Sequence, residues 1–406
     1  MEGLEVYRSV PRYVAARAVS GRAPGLVTSG LAALRLVNKP RLAPAERGDG
    51  WVRVAPRLSG ICGSDLALLT GSSPYYFSPL VSMPFVPGHE VVGDLSDDAD
   101  GLGRGQRVVI DPVLSCSARG LPLCRSCASG NTNLCDNVIA GHISPGLQTG
   151  YCADTGGGWS GAFRAHVSQL YALPDEIPDV RAVMIEPLAC AVRAALRSRA
   201  SPGSTVLVSG AGALGILIVA ALRRLLEPER IVAVAKHPRQ KELAAAFGAS
   251  DVVDPSHAFD AIRRWTRTFR LQPERGAPFL LGGVDVAVDA AGSTSSVDLA
   301  LRTVRAGGRV VLAGLPAQRV DLAPAWFREL EVVGAYAGGA ETLNRSKRPV
   351  FEIAIDLAKD LPLEDLVGGV YPLAAYKQAI DHALSAGRLG TARIVFSPLS
   401  SQGGPR

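Results

Sequence analysis

Over the first 187 residues, apolar positions come in short runs that alternate with polar ones and end at Gly, Pro or Asp. Residues 12–19, 34–37, 51–58, 91–95 and 107–110 are β-like runs of this kind and predict strands. Short strands with frequent turns predict an irregular antiparallel β-barrel, with 20–31 as a small insertion between early strands. The texture changes near residue 188. Strand-like runs at 205–209, 231–235, 251–253, 284–289, 309–313 and 330–334 now alternate with helical stretches that run to 224 and over 239–247, 259–269 and 295–305. That alternation predicts an α/β domain with a doubly wound parallel sheet. Beyond 337, helical 349–359 and 374–386 accompany strand-like 368–371 and 392–396, a segment expected to rejoin the first domain. The predicted organisation is a barrel domain over 1–187, an α/β domain over 188–337 and a returning segment over 338–406. Its polar end from Ser397 is expected to fray.

Composition narrows the class. A chain of 406 residues is long for one core and favours two domains. With 47% hydrophobic and 20% charged residues it is an ordinary folded chain, not a disordered one. The net charge is +6, and only six of the 43 basic residues are lysine. The arginines are scattered among acids with no dense basic run, so a mixed solvated surface is expected and no nucleic-acid partner. The strongest apolar stretch, 214–222, is too short to cross a bilayer, so no membrane partner is expected. The first thirty residues carry four arginines and no long apolar run, so a cytoplasmic location is expected. In that compartment seven cysteines suggest metal ligation or burial before disulfides.

Gly210-Ala-Gly212-Ala213-Leu214-Gly215 fits G-x-G-x-x-G, between a strand and an apolar helix as a dinucleotide site requires. Gly210 permits the tight turn, Gly212 lets backbone N–H groups approach a pyrophosphate, and Gly215 allows close helix–strand packing. The helix N-terminus favours phosphate charge. Where an NAD site places an acid on the ribose, this chain has Ala235, followed by Lys236, His237 and Arg239. NADP is therefore expected over NAD, an exposed helix start being the alternative for Lys236 and Arg239. Ala291, in the turn after 284–289, and Gly314 and Leu315, after 309–313, stand at carboxyl ends of strands, where such sheets present ligand contacts.

Three further segments carry metal chemistry: Gly60-Ile-Cys62-Gly-Ser64-Asp65, Pro87-Gly88-His89-Glu90 and Glu186-Pro187-Leu-Ala-Cys190. Cys, His and Glu are competent zinc ligands, and a catalytic zinc takes three from the protein with one position open. Singly, a buried cysteine, a turn histidine and a helix-start acid explain them as well. With the glycine motif behind them, they closely resemble the zinc-containing medium-chain alcohol and polyol dehydrogenases, a resemblance running from about Leu34 to Phe396. It implies a GroES-like catalytic domain around a Rossmann domain, and a dimer or tetramer. It implies that Cys62, His89 and Glu186 hold a catalytic zinc, with Glu90 adjoining the metal as an alternate ligand. Asp65 is implied to orient His89, and Ser64 to pass on the substrate proton. One position departs: many relatives carry histidine three residues after Ser64, and this chain has Ala67, so the proton needs another exit.

Cys116, Cys124, Cys127 and Cys135 resemble the family's structural-zinc lobe, usually C-x2-C-x2-C-x7-C. Here the first interval is x7, five residues longer. A structural zinc is expected, since coordination depends on where the sulfurs lie rather than on sequence distance; a relaxed lobe is the alternative. The implied reaction moves a hydride between an alcohol or its carbonyl and NADP or NAD, with zinc as Lewis acid. A zinc-free enone or quinone reductase and a non-catalytic cofactor-binding regulator are the competing readings. The aromatic segment 74–85 and Trp159 are candidate walls of a substrate pocket.

Overall fold

The computed structural model describes residues 2–21, 25–38, 50–99, 101–315 and 319–399. It separates into two compact units. One comprises Met1–Glu186, Gly338–Ala340 and Phe351–Arg406, the other Pro187–Ala337 and Glu341–Val350.

The first unit is built on a seven-stranded sheet. Trp51–Gly60 lies antiparallel to Val91–Leu95 and Phe163–His166, and its end pairs antiparallel with Arg393–Phe396. Arg393–Phe396 runs parallel to Val367–Tyr371, while Val91–Leu95 continues through Arg107–Ile110 to Leu170–Ala172. The C-terminal strand thus sits beside the stretch that leads into Cys62. Two apolar clusters fill this unit. One packs Val54, Val91, Leu95, Ile110 and Phe163, the other Leu4, Ile61, Phe85, Trp159, Ile394 and Phe396. Trp159 is fully buried, edge-on to Phe396, and donates Nε1–H to the Gly60 carbonyl at 3.0 Å. It is a core residue and not a pocket wall. Taking its roughly 200 Å² out of water is worth ~5 kcal/mol before opposing terms.

Two expectations for the N-terminal region change. Residues 12–19 are not a strand but part of the helix Val10–Ser20. Pro11 stands in its first turn, where a missing N–H costs nothing. Ala15, Ala16 and Ala18 lose no side-chain freedom in a helix, and that helical preference outweighs the apolar character of the run. A strand that the pattern did not predict, Gly3–Val6, pairs antiparallel with Leu34–Val37. Tyr75 and Tyr76 in the aromatic segment are largely exposed, and Tyr75 packs on Tyr13 and Arg17 of the N-terminal helix.

The second unit is a parallel six-stranded sheet in the order Asp251–Val253, Arg230–Val234, Thr205–Ser209, Val284–Asp289, Val304–Leu312, Glu331–Gly334. This is the 3-2-1-4-5-6 order of the doubly wound nucleotide-binding folds. Helices Ala213–Leu225, Pro238–Ala246, Pro255–Thr266 and Thr294–Thr303 connect the strands. Their apolar faces bury Leu207, Val232, Ile262, Ala287, Leu301 and Val310 together. Two small antiparallel hairpins, Arg270–Leu271 with Phe279–Leu280 and Ala340–Leu343 with Ser346–Pro349, lie in stretches where no strand was expected. Among the described residues no helix is long and apolar enough to cross a membrane. The polar end from residue 400 lies outside the described residues.

Candidate active site

Three backbone features bring the metal-binding side chains of the first unit together. Cys62 caps the helix Gly63–Leu69, and its N–H donates to Asp65 Oδ2 at 3.0 Å, so the cap fixes the cysteine and the acid at once. Gly88 has φ +97°, and a Cβ there would sit 2.5 Å from Trp159 Cδ1 and 2.7 Å from Ser59 Oγ. Only glycine fits that turn, which delivers His89 and Glu90 beside the sheet. The run 156–158 seals the other side: Gly158 N–H donates to the Gly88 carbonyl at 2.8 Å and Trp159 N–H to the Pro87 carbonyl at 2.9 Å. The glycines therefore serve close packing.

A ligand atom from each of Cys62, His89 and Glu90 lies within 4.8 Å of the others. Tetrahedral zinc bonds of 2.0–2.3 Å set ligand atoms about 3.3–3.8 Å apart, so a small contraction closes this cluster on one ion. His89 and Glu90 are buried at 3% and 0% exposure, and Cys62 is half-buried. Both Glu90 carboxylate oxygens are buried without a hydrogen-bond partner. Such groups are costly unless something else satisfies them, and a dication does. Glu90 Oε1 does lie 3.1 Å from Arg393 Nη1, an ion pair rather than a well-angled hydrogen bond. The donor set therefore fits a zinc ion.

Glu186 stands outside this cluster. It is buried at 7% exposure at the start of the helix Ile185–Ser198, and its charge acts on both His89 and Arg393. Asp65 Oδ1 lies 3.7 Å from His89 Nδ1, an electrostatic contact longer than a hydrogen bond. Burial disfavours a protonated His89, but Asp65, Cys62 and Glu186 outweigh it and hold the imidazole well above its ordinary value. Burial pushes the Asp65 carboxyl up, against the pull of His89. Ser64 stands in the first turn of the same helix as Asp65. Two residues not singled out from the sequence complete the site. Tyr151 places its hydroxyl 3.2 Å from both Ser64 Oγ and Asp65 Oδ1. Arg393, from the C-terminal strand, donates to the Ile61 carbonyl at 2.8 Å and faces Glu90. No spacing rule ties positions 151 and 393 to position 62; only the packed sheet does.

The cysteine lobe closes despite its longer first interval. Sulfur atoms of Cys116, Cys124, Cys127 and Cys135 lie within 4.8 Å of one another, with Cys116 and Cys135 at 3.5 Å. The Asn137 side chain donates to Cys116 Sγ at 3.2 Å and its N–H to Cys135 Sγ at 3.4 Å. The inserted residues make one tight turn, Ser117–Arg119, ended by Gly120 at φ +63°. Arg119 is fully buried and donates to the carbonyls of Leu114, Ala140 and Gly146 at 3.1, 2.9 and 2.6 Å. Backbone N–H groups of the lobe bring the Cys124 thiol down to about 7, while burial raises those of Cys127 and Cys135.

In the second unit, Gly210 (φ +106°) turns the chain at the end of Thr205–Ser209, and Gly212 caps the helix Ala213–Leu225. A Cβ on Gly215 would collide with the Gly210 carbonyl oxygen. A cavity of about 680 Å³ opens over this turn, lined among others by Gly210, Gly212, Lys236, His237 and Ala291. Gln240 and Phe259 also line it. Arg239 turns instead to Glu242 at 3.1 Å, and Ala213 and Leu214 lie in the helix that follows the turn. Gly314 and Leu315 pack against the turn at Gly292 rather than lining the cavity. Asp289, buried and held above its ordinary range by burial, accepts from the Ala291 and Gly292 N–H groups at 3.2 and 3.1 Å and shapes that turn. No acid follows Arg230–Val234; Ala235 is buried there and its N–H bonds Val253.

Known proteins resemble this chain in sequence and fold. A family model described as the alcohol dehydrogenase GroES-like domain matches residues 48–175, and one described as zinc-binding dehydrogenase matches residues 213–358. The chain is 30% identical to the L-idonate 5-dehydrogenase of Vitis vinifera over 303 residues, 73% of this chain and 75% of that one. It is 30% identical to the sorbitol dehydrogenase of Arabidopsis thaliana over 304 residues, 73% and 76% of the two chains. Among solved structures, a Sinorhizobium meliloti 1021 protein assigned as a zinc-binding dehydrogenase and bound to NADP superposes with a TM-score of 0.68. That match has 26% identity and covers 90% of this chain and 95% of that one.

Proposed function

The chain belongs to the zinc-dependent medium-chain alcohol dehydrogenase family and is an oxidoreductase acting on a small alcohol or carbonyl substrate with zinc and a nicotinamide cofactor; from that premise we propose that it oxidises a secondary hydroxyl of a polyol, with NADP as the preferred cofactor. The observation that carries the site assignment is the buried convergence of Cys62, His89 and Glu90. Cys62 and His89 hold the zinc, Glu90 is the carboxylate the geometry favours, and Glu186 is the alternate.

When bound, zinc supplies a Lewis acid for the substrate oxygen and nicotinamide an acceptor or donor of hydride. The residues do the rest. Oxidation releases a proton from the hydroxyl as hydride leaves carbon, and Ser64 passes it on, giving up its own hydroxyl proton toward solvent as it takes the substrate's. Asp65 sets the orientation of His89 and is itself held by the Cys62 N–H. Arg393 balances the charge that Glu90 and Cys62 bring into a buried site. The pocket of the second unit takes the dinucleotide, with Gly210 and Gly212 at the pyrophosphate. Lys236 and His237 line it where the ribose 2′-phosphate would lie, and the carboxylate of Asp298, also in the lining, is paired with Arg302. The lobe cysteines hold a structural zinc. The edge strand Glu331–Gly334 and the exposed Trp326 and Phe327 beside it support a homodimer or tetramer, to be read by light scattering. The free cysteines, four of them gathered as metal ligands, support a reducing, cytoplasmic location.

The test is a panel of sorbitol, xylitol, L-idonate and 2,3-butanediol followed at 340 nm with NADP+ and NAD+, alongside metal analysis. Two zincs per chain, and turnover abolished by verified zinc removal and restored by zinc, are expected. Undiminished turnover of the zinc-free protein would establish the zinc-free reductase instead. Zinc contents of Glu90→Gln and Glu186→Gln assign the third ligand.

A further inference from the structure

The glycine turn and the pair Lys236 and His237 account for one end of the cavity in the second unit, which measures about 680 Å³ in all. The rest is lined by side chains of another kind. Phe259 comes from the helix Pro255–Thr266 and Leu299 from the helix Thr294–Thr303, while Ala277 and Pro278 belong to the stretch that joins Arg270–Leu271 to Phe279–Leu280. These four side chains carry no charge and no hydrogen-bonding group, so they suit an apolar surface and not a phosphate.

The charged pair in this part of the lining is already engaged. Arg302 Nε lies 2.7 Å from Asp298 Oδ1 and its Nη2 3.2 Å from Asp321 Oδ2, while Nη1 donates to the Ala277 carbonyl at 3.1 Å. One guanidinium therefore neutralises a carboxylate of the cavity and straps the stretch 277–278 in place. Inside that stretch the Gln272 side chain donates to the Gly276 carbonyl at 3.0 Å, which closes the turn before Ala277. Phe259 is fixed as well. The Arg270 guanidinium lies over its ring at 5.5 Å and is held by Asp260 Oδ1 at 3.3 Å. One face of the ring is taken, and the opposite face is left for a ligand.

The covalent structure of a dinucleotide says what comes next. Its adenine base is bonded to the ribose carbon adjacent to the one that bears the 2′ oxygen. A ribose whose 2′ group meets Lys236 thus sets the base one bond further on, at the apolar end of the same cavity. A base is flat with a π-face, and an aromatic side chain is the surface on which it stacks. We infer that Phe259 is the stacking platform for the adenine base, under a cover formed by Ala277 and Pro278 that Arg302 holds down.

This inference rests on the reading of the cavity as a dinucleotide site, and the experiment separates the two. Full-length, zinc-loaded wild type, Phe259→Leu and Phe259→Tyr are titrated with NADP+, NAD+ and adenosine 2′,5′-bisphosphate by calorimetry. Nicotinamide mononucleotide, which has no adenosine, is titrated by NMR. In Phe259→Leu the Kd is expected to rise about 10-fold for all three adenine ligands, the worth of one base–aromatic stack. The mononucleotide Kd is expected unchanged, and Phe259→Tyr within about 2-fold of wild type for every ligand. In wild type, saturating the aromatic protons of the protein is expected to reach adenine H2 and H8 of the bound bisphosphate, a readout that needs no variant to fold. Unchanged adenine-ligand binding in Phe259→Leu, an equal loss for the mononucleotide, or no saturation of the adenine protons would each overturn the inference while the dinucleotide site stands. A wild type that binds none of the adenine ligands would overturn both. The base is common to NADP and NAD, so the preference between them is read from Lys236 and not from Phe259.

Discussion

A single methyl group at Gly60 tests how the site is held. Gly60 ends the strand Trp51–Gly60, two residues before Cys62. A Cβ there would collide with Glu90 Oε2 and lie only 3.0 Å from Glu90 Cβ and Cδ. The backbone cannot retreat, because Gly60 N–H donates to the Glu90 carbonyl at 2.8 Å and its own carbonyl accepts from Trp159 at 3.0 Å. The Glu90 side chain must therefore move, away from Arg393 as well as from the cluster. Overpacking a well-filled core costs ~1–3 kcal/mol, and separating a buried ion pair ~3–5 kcal/mol. The two overlap here, so about 3 kcal/mol is expected for Gly60→Ala. At ~2–4 °C per kcal/mol for a unit of this size, the melting temperature falls by about 6–12 °C. Zinc content at the catalytic site falls with it. The control is a second change: Gly60→Ala with Glu90→Asp, one methylene shorter, regains part of the stability, whereas Gly60→Ala with Glu90→Gln, the same size, does not. Thermal unfolding followed by circular dichroism and metal analysis read both quantities. A Gly60→Ala protein with unchanged melting temperature and full zinc would refute the reasoning, as would equal behaviour of the two double variants.

Three further outcomes follow from particular contacts. Burial raises the Asp111 carboxyl to about 6, against one backbone N–H from Val113 at 3.1 Å. A folded-state value above the unfolded one means the native state binds the extra proton, so stability declines as pH rises from about 4 through about 6. Asp111→Asn escapes this, and its stability advantage over wild type grows across that window to at most ~3 kcal/mol at neutral pH; parallel urea-unfolding curves from pH 4 to 8 would exclude it. Arg119→Met removes the guanidinium that ties three carbonyls of the cysteine lobe, and a loss of ~3 kcal/mol is expected, seen as faster zinc release to a chelator from the lobe while the catalytic zinc is retained. Lys236→Ala raises KM for NADP+ by about 10-fold, the worth of one charge-assisted contact, and leaves KM for NAD+ nearly unchanged; equal effects on both cofactors would assign Lys236 to the surface.

Which parts were legible beforehand follows from the range over which each signal acts. The glycine turn at 210–215 and the alternation of strands and helices around it are local, set by φ at Gly210 and by periodicity over a few residues, and the parallel sheet follows from them. The same local reasoning misread 12–19. There a short apolar run between turn residues resembles a strand, but an alanine-rich run with Pro11 in its first turn forms a helix. The hairpins at 270–280 and 340–349 are too short for any period to show. In the site, Cys62, Asp65, His89 and Glu90 sit in two compact motifs whose turns are visible in the glycines beside them. Gly60 is adjacent to Cys62, yet its role is to leave a space that Glu90 fills, and an absence of atoms has no sequence signature beyond the glycine itself.

Tyr151 and Arg393 mark the limit of that reading, and for one physical reason. Both are placed by the core formed from Ile61, Phe85, Trp159, Ile394 and Phe396, whose members come from four separate stretches of chain. Trp159 connects them: its ring meets Phe396, next but two to Arg393, and its indole N–H holds the Gly60 carbonyl, while its backbone ties the glycine turn before His89. A side chain with no ligand atom thus sets the spacing between the cysteine segment, the histidine segment and the C-terminal strand. Trimming it leaves every proposed ligand in the sequence and removes what brings them together. Trp159→Leu should therefore lose zinc and stability together, in contrast to changes at the ligands, which act on zinc first.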